Sequence, residues 1–437
     1  TLLKKDHPLQ GIILVLVKSQ IQNKHHQKRI PLQLKKTKGY TVIQDWLQQK
    51  DFKPFSFQEQ TWQHLIDGKS GLVNAPTGTG KTFSVFLGAL IQFINNHPKD
   101  YTTKSKSGLQ LIWITPLRAL AKDIGRAMET VIAELGMQWK VGIRNGDTTL
   151  SDRQKQKRQM PEVLIITPES LHLLLAQKDY ESVFKHLKII AADEWHELMA
   201  SKRGVQVELA LSRICGLKKG GDSGQMTDDS NDEIEVQDEK LKKKKLPVNR
   251  QLSSVNFSIW GISATIGNLD QAMDVLLAPL SLISATKGTI VRANINKALE
   301  IHSILPDEIE KYPWAGHLGL KLAEKVLPII DSSRTTLIFI NTRGMSERWY
   351  QTLLHIAPHL AGAIALHHGS IEGELRAWVE DALHDGKLKA VVATASLDLG
   401  VDFRPVETVI QVGSPKGVAR FLQRAGRSGH PSRAAAA

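Results

Sequence analysis

Residues 74–82 read Asn-Ala-Pro-Thr-Gly-Thr-Gly-Lys-Thr and follow a short apolar run at 71–73. A buried strand that ends in such a loop and is followed by a helical segment, here residues 83–94, is typical of a phosphate-binding loop. Glycines let the backbone turn tightly and present successive N–H groups to a phosphate, and the start of the helix adds positive potential. The loop is therefore expected to bind a nucleotide. The predicted ligands are Thr77, Gly78, Thr79, Gly80 and Lys81 for the phosphates, and Thr82 for Mg²⁺.

Two adjacent acids, Asp193 and Glu194, follow the apolar run 187–192. An acid at the carboxyl end of a strand beside a phosphate-binding loop is where a magnesium partner is expected. Asp193 is predicted to hold Mg²⁺, and Glu194 to orient and deprotonate an attacking water. Taken alone, the two acids would more often be a solvated strand end. Together with the loop at 74–82 they indicate nucleotide hydrolysis.

Apolar runs alternate with helix-like segments through two stretches of the chain, which predicts an α/β fold with two domains. Near-continuous apolar runs separated by helices indicate mostly parallel sheets with helices on both faces. We assign residues 39–275 to the first domain and 276–432 to the second. A charged segment at 216–250 is expected to be a disordered insertion. Residues 1–38 form an unassigned basic segment, and 433–437 a tail. The predicted strands are 109–115, 163–167, 187–192 and 258–263, then 335–340, 363–366, 390–393 and 408–412.

The composition favours a polyanionic partner and gives no sign of secretion or membrane insertion. The net charge is +13, an excess that gives weak support to nucleic-acid binding. The single cysteine, Cys215, excludes an internal disulfide framework and a cysteine zinc cluster. The apolar run at 12–17 is too short to span a bilayer. We therefore expect a protein of the cytoplasm, associated with the nucleoid, with no membrane partner.

Further motifs stand in a fixed order along residues 50–432. They read TPLRAL at 115–120, TPES at 167–170, DEWHEL at 193–198, SKRGVQ at 201–206, SAT at 263–265, PWAGH at 313–317 and QRAGRSGH at 423–430. Together they resemble the superfamily-two helicases of the DExH type, most closely the Lhr-like, ligase-associated DEXH-box group. The resemblance implies two tandem RecA-like domains, with ATP and Mg²⁺ in the cleft between them and nucleic acid held across both.

The resemblance also implies roles for residues around the nucleotide. Phe52 and Gln58 match a motif whose aromatic ring stacks on adenine and whose amide pairs with the adenine edge. Arg427 is the expected arginine finger, and Arg424 is expected to support it. Many members of the superfamily have a further arginine where this chain has His430, which leaves the number of fingers open. Gly400 and Asp402 are expected to approach the nucleotide.

Two further groups of residues are assigned by the same resemblance. The first would bind the phosphates of a nucleic-acid strand, although Glu169 could instead cap a helix. Arg144-Asn145-Gly146-Asp147 is a further candidate for a strand-contacting loop. The second group would link the state of the nucleotide to domain movement. The strand group is Pro116, Arg118, Thr167, Pro168, Glu169, Arg343, His368, Gly369, Thr394 and Ser396, and the coupling group is His196, Ser263, Thr265 and Gln423.

The function that this resemblance implies is an ATP-dependent helicase. It would move 3′ to 5′ on single-stranded DNA and separate DNA duplexes or DNA–RNA hybrids, in DNA repair, with a DNA ligase or a nuclease as a possible partner. Two alternatives stay open at this point. One is an RNA helicase, because the motifs grip the backbone and do not select the sugar. The other is an ATP-gated clamp that binds nucleic acid without unwinding it.

Overall fold

A computed structural model describes most of the chain. The described residues are 14–22, 32–116, 118–199, 201–220, 257–264, 266–281, 287–304, 319–398, 406–415 and 417–428. They form two sheets, each covered by helices. The strands are β1 (Leu14–Gln22), β2 (Gly71–Asn74), β3 (Leu111–Ile114), β4 (Val141–Arg144), β5 (Val163–Ile166), β6 (Ile189–Ala192), β7 (Ser258–Ser263), β8 (Thr289–Arg292), β9 (Asn296–Ile304), β10 (Thr336–Ile340), β11 (Ile364–His367), β12 (Ala390–Ala393) and β13 (Thr408–Val412).

Helices connect the strands and lie on both faces of the sheets. Their bounds are α1 (Leu32–Lys35), α2 (Lys38–Gln49), α3 (Ser56–Ile66), α4 (Lys81–Asn96), α5 (Arg118–Glu134), α6 (Leu150–Arg158), α7 (Pro168–Leu175), α8 (Tyr180–Val183), α9 (Trp195–Met199), α10 (Lys202–Gly220), α11 (Leu269–Ser281), α12 (Ala323–Ser332), α13 (Arg343–Ile356), α14 (Gly373–His384) and α15 (Val418–Ala425).

The first sheet has the strand order β4-β5-β3-β6-β7-β2-β8, and every pairing in it is parallel. Successive residues of a strand point to opposite faces. Thus Trp113 joins the hydrophobic core on one face, whereas Ile112 and Ile114 join the core on the other. The predicted parallel sheet with helices on both faces is confirmed for this domain.

The second sheet has the order β11-β12-β10-β13-β1-β9. Strands β10 to β13 pair in parallel, and alternate residues such as Ile338 and Leu337 face two separate cores. Strand β1, from the segment left unassigned by the sequence, pairs antiparallel with β13 on one side and β9 on the other. The N-terminal segment thus supplies an inner strand of the second sheet.

Two predicted boundaries differ from the structure. Strand β8 pairs with β2, so the first domain extends to about Arg292 and does not end at 275. The short strand TIVR was missed because it mixes polar and apolar residues at a sheet edge. Helix α10 continues to Gly220, so the first five residues of the segment 216–250 are helical. The rest of that segment lies outside the described residues, as does the tail.

Helix α2 packs so closely on α4 that only glycine fits at position 39. A Cβ atom at Gly39 would lie 2.4 Å from the Ile91 carbonyl oxygen, and the Gly39 N–H donates to Asn95 at 2.7 Å. By contrast, a Cβ atom at Gly344, at the start of α13, would meet no atom within 4 Å.

We expect Gly39→Ala to destabilise the first domain by about 1–3 kcal/mol, because the backbone of α4 must shift to admit the methyl group. Gly344→Ala is the matched control, since it should raise stability by about 0.5–1 kcal/mol through its better helix propensity. Urea denaturation of both variants measures the difference. Equal effects of the two substitutions would contradict the close packing of α2 on α4.

Candidate nucleotide site and nucleic-acid interface

Parallel pairing brings the carboxyl ends of the first sheet to one edge. Strand β2 ends at the loop 74–82, and β6 ends at Asp193 and Glu194. Strands β3 and β5 end at the loops that carry Pro116 and Thr167. Loops at such an edge are the usual site of ligand binding in open α/β sheets. The predicted nucleotide and strand residues of this domain therefore share one edge.

The loop 74–82 has the shape that its glycines allow. Gly78 and Gly80 adopt φ angles of 78° and 69°, which side chains with a Cβ rarely adopt. The Thr79 hydroxyl donates to the Pro76 carbonyl at 2.7 Å, which closes the turn. Thr77 and Thr82 are half-buried at its two ends, and helix α4 begins directly at Lys81. The loop thus places the N-terminus of α4 at the carboxyl edge of the sheet, where its free N–H groups can bind an anion.

The Lys81 ammonium group is buried in this site. The residue is 9% exposed, and its Nζ atom has no hydrogen-bond partner among the described residues. Nζ lies 3.9 Å from Oε1 of Glu194, too far for a hydrogen bond. A buried cation without hydrogen bonds is costly. The arrangement suits a polyphosphate that would supply the missing acceptors.

Asp193 is buried beside Lys81 and is held by two hydrogen bonds. Trp113 Nε1 donates to one carboxylate oxygen at 3.2 Å, and the Glu194 N–H donates to the other at 2.9 Å. Burial and then the charge of Glu194 raise the pKa of Asp193 to about 7, against the opposing charge of Lys81. Glu194 itself adopts φ = 46°, a strained conformation for a residue with a side chain and one found most often at functional sites.

These residues fit Mg²⁺. The charge of Lys81 only partly offsets the burial and the Glu194 charge that raise the pKa of Asp193, so a further cation could be accommodated beside this carboxylate. Among the described residues no group of three His, Cys, Asp or Glu side chains could hold a metal ion. Mg²⁺ needs no such cluster at a nucleotide site, because one carboxylate, phosphates and waters are enough. Asp193 and the Thr82 hydroxyl are the residues that would hold it.

The coupling residues of the two domains meet at His196. Its Nδ1 bonds with the Ser263 hydroxyl at 2.8 Å, and its Nε2 accepts from the side-chain amide of Gln423. That amide also donates to Glu197 at 3.1 Å. Burial lowers the pKa of His196, although Glu194 acts against this. A neutral ring with its proton on Nδ1 satisfies both contacts. The structure thus joins Ser263 of the first domain to Gln423 of the second.

Two arginines of the second domain have different environments. Arg424 is 2% exposed and makes a bidentate pair with Asp398, at 2.6 and 3.1 Å. It also donates to Gln411 at 2.7 Å. The guanidinium of Arg424 is thus used inside the domain, and its expected support of Arg427 stays a prediction. Arg427 donates to the Asp398 carbonyl at 3.1 Å, so both arginines depend on Asp398.

The segment that carries Arg427 lies against the phosphate-binding loop. A Cβ atom added at Gly426 would lie only 3.4 Å from Cβ of Thr77. The contact of Gln423 with His196 and Glu197 lies on the same helix, α15. The second domain therefore contributes to one wall of the nucleotide site, as expected for an arginine finger.

The two residues assigned to adenine take part in contacts within the protein. The Gln58 amide donates to the Gly80 carbonyl at 3.0 Å and accepts from the Phe55 N–H at 2.8 Å. Phe52 is partly buried and packs against the core of the first domain. Gln58 thus supports the phosphate-binding loop. Its predicted pairing with adenine, and the stacking of Phe52, stay predictions.

Ion pairs link the strand-contact loops of the first domain. Arg118 pairs with Asp147 at 2.6 Å. Glu169 pairs with Arg203 at 2.7 Å, and the same guanidinium donates to the Pro116 carbonyl at 2.9 Å. Glu169 therefore acts as the partner of Arg203. An anionic side chain such as Glu169 is a poor phosphate ligand. The positive charge between the Pro116 and Glu169 loops belongs to Arg203, to which the sequence analysis assigned no role. Pro168 begins helix α7, after Thr167.

The corresponding loops of the second domain also meet one another. Arg343 donates to Ser370 at 2.8 Å, and His368 pairs with Glu347 at 3.2 Å. Ser396 donates to the His367 carbonyl at 3.0 Å and contacts the His367 ring at 2.7 Å. The Ser396 hydroxyl is thus used within the protein. Its neighbours Thr394 and Gly369 lie at the ends of β12 and β11.

Some predicted residues lie outside the described part of the chain. They are Thr265, Gly400, Asp402 and His430, together with the motif at 313–317. Other residues of the site were missed by the sequence analysis. Asp398 and Arg203 are the most important, because each holds residues from more than one motif. The available signal for Arg203 was its place within the motif SKRGVQ at 201–206.

Comparison with known proteins agrees with this geometry. A DEAD/DEAH box helicase family model matches residues 55–272, and a helicase conserved C-terminal domain model matches residues 320–432. The chain belongs to the DEAD/DEAH box helicases. One matched region lies in each of the two domains seen in the structure, and the tandem RecA-like fold is confirmed.

Within this family, the chain is similar to proteins of Lhr type. It is 32% identical over 375 residues to ATP-dependent helicase Lhr-Core protein 2 of Thermococcus barophilus, covering 83% of this chain and 39% of that protein. It is 30% identical over 401 residues to ATP-dependent helicase Lhr-Core of Methanocaldococcus jannaschii, covering 89% and 42%. The chain thus spans about two fifths of the length of these relatives.

Among solved structures, the chain resembles Mycobacterium smegmatis helicase Lhr bound to ssDNA and AMP-PNP. The TM-score is 0.63 with 26% identity, covering 90% of this chain and 45% of that one. The DEAD-box helicase Mss116, bound to ssRNA, has a TM-score of 0.63 at 17% identity, which shows a shared fold.

The helices in the described residues include none that is both long and apolar enough to cross a bilayer.

The raised pKa of Asp193 predicts a pH dependence of stability without nucleotide. Between the ordinary carboxyl range near 4 and about 7, folded Asp193 holds a proton that the unfolded chain releases. The free energy of unfolding should therefore fall as pH rises through this window, by on the order of 2 kcal/mol relative to Asp193→Asn. Urea denaturation of both proteins at pH 4.5 and pH 7.5, as convenient ends of roughly this window, tests the sign. A constant difference between them would contradict it.

Proposed function

We propose that this chain is the motor core of an ATP-dependent, Lhr-type helicase. It would couple ATP hydrolysis to 3′-to-5′ movement on single-stranded DNA and to the separation of DNA or DNA–RNA duplexes, in DNA repair. The observation that carries the proposal is the buried Lys81 ammonium, which lies beside Asp193 and Glu194 and lacks a hydrogen-bond partner among the described residues. It is supported by relatives named as ATP-dependent helicases.

In the proposed reaction, Lys81 and the N–H groups of the loop 74–82 bind the β- and γ-phosphates. Glu194 orients a water and accepts its proton, and Arg427 stabilises the charge on the transferred phosphoryl group. Mg²⁺, held by Asp193 and Thr82, would neutralise phosphate charge. Because the site is divided between two domains, ATP binds the closed arrangement more tightly, and hydrolysis removes that difference.

Movement along a strand follows if both domains hold the same backbone. Pro116, Arg118 and Thr167 lie on the first domain, and Arg343, His368 and Thr394 on the second. Such a grip on phosphates would be largely independent of sequence and sensitive to salt. The preference for DNA is supported by the ssDNA-bound Lhr helicase that this chain resembles. We propose that the protein acts at the nucleoid, with a ligase or nuclease as a candidate partner.

Lys81→Ala and Glu194→Gln are expected to abolish ATP hydrolysis, because they remove the phosphate ligand and the base. Both proteins should keep their far-ultraviolet circular dichroism. In the Glu194→Gln variant, which lacks only the base, ATP turnover should fall by more than about a hundredfold. Gln92→Ala, on the same helix as Lys81 and outside the site, is the control with unchanged turnover. A well-folded Glu194→Gln protein that hydrolyses ATP normally would refute the assignment.

Arg427→Ala should leave nucleotide affinity near that of the unaltered protein, since the guanidinium stabilises charge that develops during transfer. Turnover should fall on the order of a thousandfold, by comparison with other arginine fingers. Equilibrium binding of a fluorescent ATP analogue and steady-state hydrolysis separate the two effects. Equal losses of affinity and turnover would mean that Arg427 is an ordinary binding residue.

The first experiment on substrate is ATP hydrolysis by the chain alone, and then with single-stranded DNA, matched RNA or duplex DNA. Stimulation by single-stranded DNA supports the proposal, and strand displacement on duplexes with a 3′ or a 5′ tail then reports polarity. Selective stimulation by RNA would replace DNA with RNA as the substrate. Nucleotide binding with no hydrolysis under any condition would indicate a clamp.

A further inference from the structure

Trp378 of helix α14 differs from the other tryptophans of the chain because its ring is open to water. It is 55% exposed, whereas each of the seven other tryptophans in the described part of the chain is 5% exposed or less. The ninth tryptophan of the sequence, Trp314, lies outside that part. Leu375, three residues earlier on the same helix, is 51% exposed. Residues three apart on a helix are surface neighbours, so the two side chains form one exposed apolar patch.

An exposed tryptophan next to an exposed leucine indicates a binding surface. A single exposed apolar residue is ordinary, but neighbouring large apolar side chains in water are informative. Trp378 is also the only aromatic residue among the large apolar side chains that the described residues expose. The patch therefore marks α14 as a place where a ligand or a partner binds.

Helix α14 begins next to the proposed path of the nucleic-acid strand. Its first residue, Gly373, follows Gly369 by four positions, and Ser370 in the loop between them accepts a hydrogen bond from Arg343 at 2.8 Å. At ~1.5 Å per residue, Trp378 lies roughly 8 Å along the helix from Gly373. A base attached to a phosphate at this loop is therefore within reach of the ring.

Helix α5 of the first domain lies close to this part of α14. Arg126 of α5 is 3.7 Å from the carboxylate of Asp381, which follows Trp378 by three positions. Both charged side chains are exposed, so the pair adds little stability, but it places Trp378 at the boundary between the domains. Arg118 and Lys122 precede Arg126 at intervals of four residues and are also exposed. A row of cations on one domain thus lies near the aromatic ring on the other.

This combination fits an unpaired nucleobase better than a folded partner protein. Proteins that bind single strands combine cations, which attract the phosphates, with aromatic rings on which the bases stack. A stable protein interface takes roughly 20 residues from each side. Helix α14 offers only Leu375 and Trp378 as large exposed apolar side chains. A patch of this size matches one base and its sugar.

We propose that the ring of Trp378 stacks on a base of the bound single strand, where the strand passes from one domain to the other. Leu375 packs beside the same base or its sugar. The contact adds base stacking to a grip that otherwise uses phosphates, and it is independent of sequence because every base has a π face. This inference rests on the proposed function, since it requires a bound single strand.

The first test is equilibrium binding of labelled single-stranded DNA, and of an abasic strand of equal length, with AMP-PNP present. Trp378→Ala should weaken binding of the normal strand by roughly tenfold, as expected for the loss of one stacked base. The salt dependence should stay unchanged, because no phosphate contact is lost. The abasic strand should bind equally well to the variant and to the unaltered protein. Weaker binding of both strands by the variant would indicate a structural role and overturn the proposal.

The controls separate a flat ring from apolar area alone. Trp378→Tyr should keep most of the affinity, whereas Trp378→Leu should behave like Trp378→Ala, because leucine has no flat ring. Ile301→Ala is the matched control for loss of an exposed apolar side chain. Ile301 is 51% exposed and lies on β9, at the opposite edge of the second sheet from β11, the strand before α14. Full affinity in Trp378→Leu, or a tenfold loss in Ile301→Ala, would contradict stacking.

The second test uses the exposure of the ring itself. In a Trp314→Phe background, iodide should quench mainly the fluorescence of Trp378, because the other tryptophans are buried. Saturating single-stranded DNA should protect Trp378 from iodide, whereas AMP-PNP alone should not. Protection by AMP-PNP alone would mean that domain closure covers the ring, and it would overturn the proposal, as would a lack of protection by bound DNA.

These measurements separate the failure of the stack from the failure of the proposed function. If the unaltered protein binds neither the normal nor the abasic strand, the proposed function is refuted, and the stack with it. If it binds both strands equally well, the strand is held by its backbone alone, so that only the stack is refuted. Tighter binding of the normal strand that is lost in Trp378→Ala supports both.

Discussion

The parallel register of the first sheet is the constraint on which the site depends. Because every strand in it runs in the same direction, the carboxyl ends of all seven strands lie at one edge, and residues far apart in sequence become neighbours. Lys81 meets Glu194 across more than a hundred residues in this way. The same edge carries the predicted strand contacts. In the proposed function, a nucleotide and a nucleic-acid strand would therefore contact the same edge of one sheet.

The sheet edge contains buried ionisable groups that lower the stability of the protein without ligands, and these groups indicate where ligands would bind. Lys81 and Arg144 are cations with buried nitrogen atoms that lack hydrogen-bond partners in the described structure, and Asp193 is a carboxyl whose pKa is raised by burial. In a protein without ligands, such groups lower stability. Each becomes favourable when a partner of opposite charge arrives. Arg424 is the contrast, since Asp398 and Gln411 already satisfy it.

The features that could be predicted from sequence are those encoded by residues close together in the chain. The local residue pattern and the spacing of apolar residues were enough to predict the loop 74–82, the pair Asp193-Glu194 and the buried parallel strands. Strands β4 and β8 were missed because edge strands are short and half-polar. Asp398 and Arg203 were missed because their roles depend on partners 26 and 34 residues away, brought close only by the fold. The hydrogen bond from the Ser396 hydroxyl to the His367 carbonyl could not be predicted for the same reason.

The place of β1 between β13 and β9 makes the second domain discontinuous in sequence. Its sheet combines residues 14–22 with residues beyond 296, and the whole first domain lies between them. During synthesis, β1 leaves the ribosome before the first domain, whereas its partners β9 and β13 are made after that domain, which can already fold. A truncation that starts at residue 39 would separate β13 from β9 and expose a strand edge. The order of translation thus delays the pairing of β1 until β9 and β13 have been made.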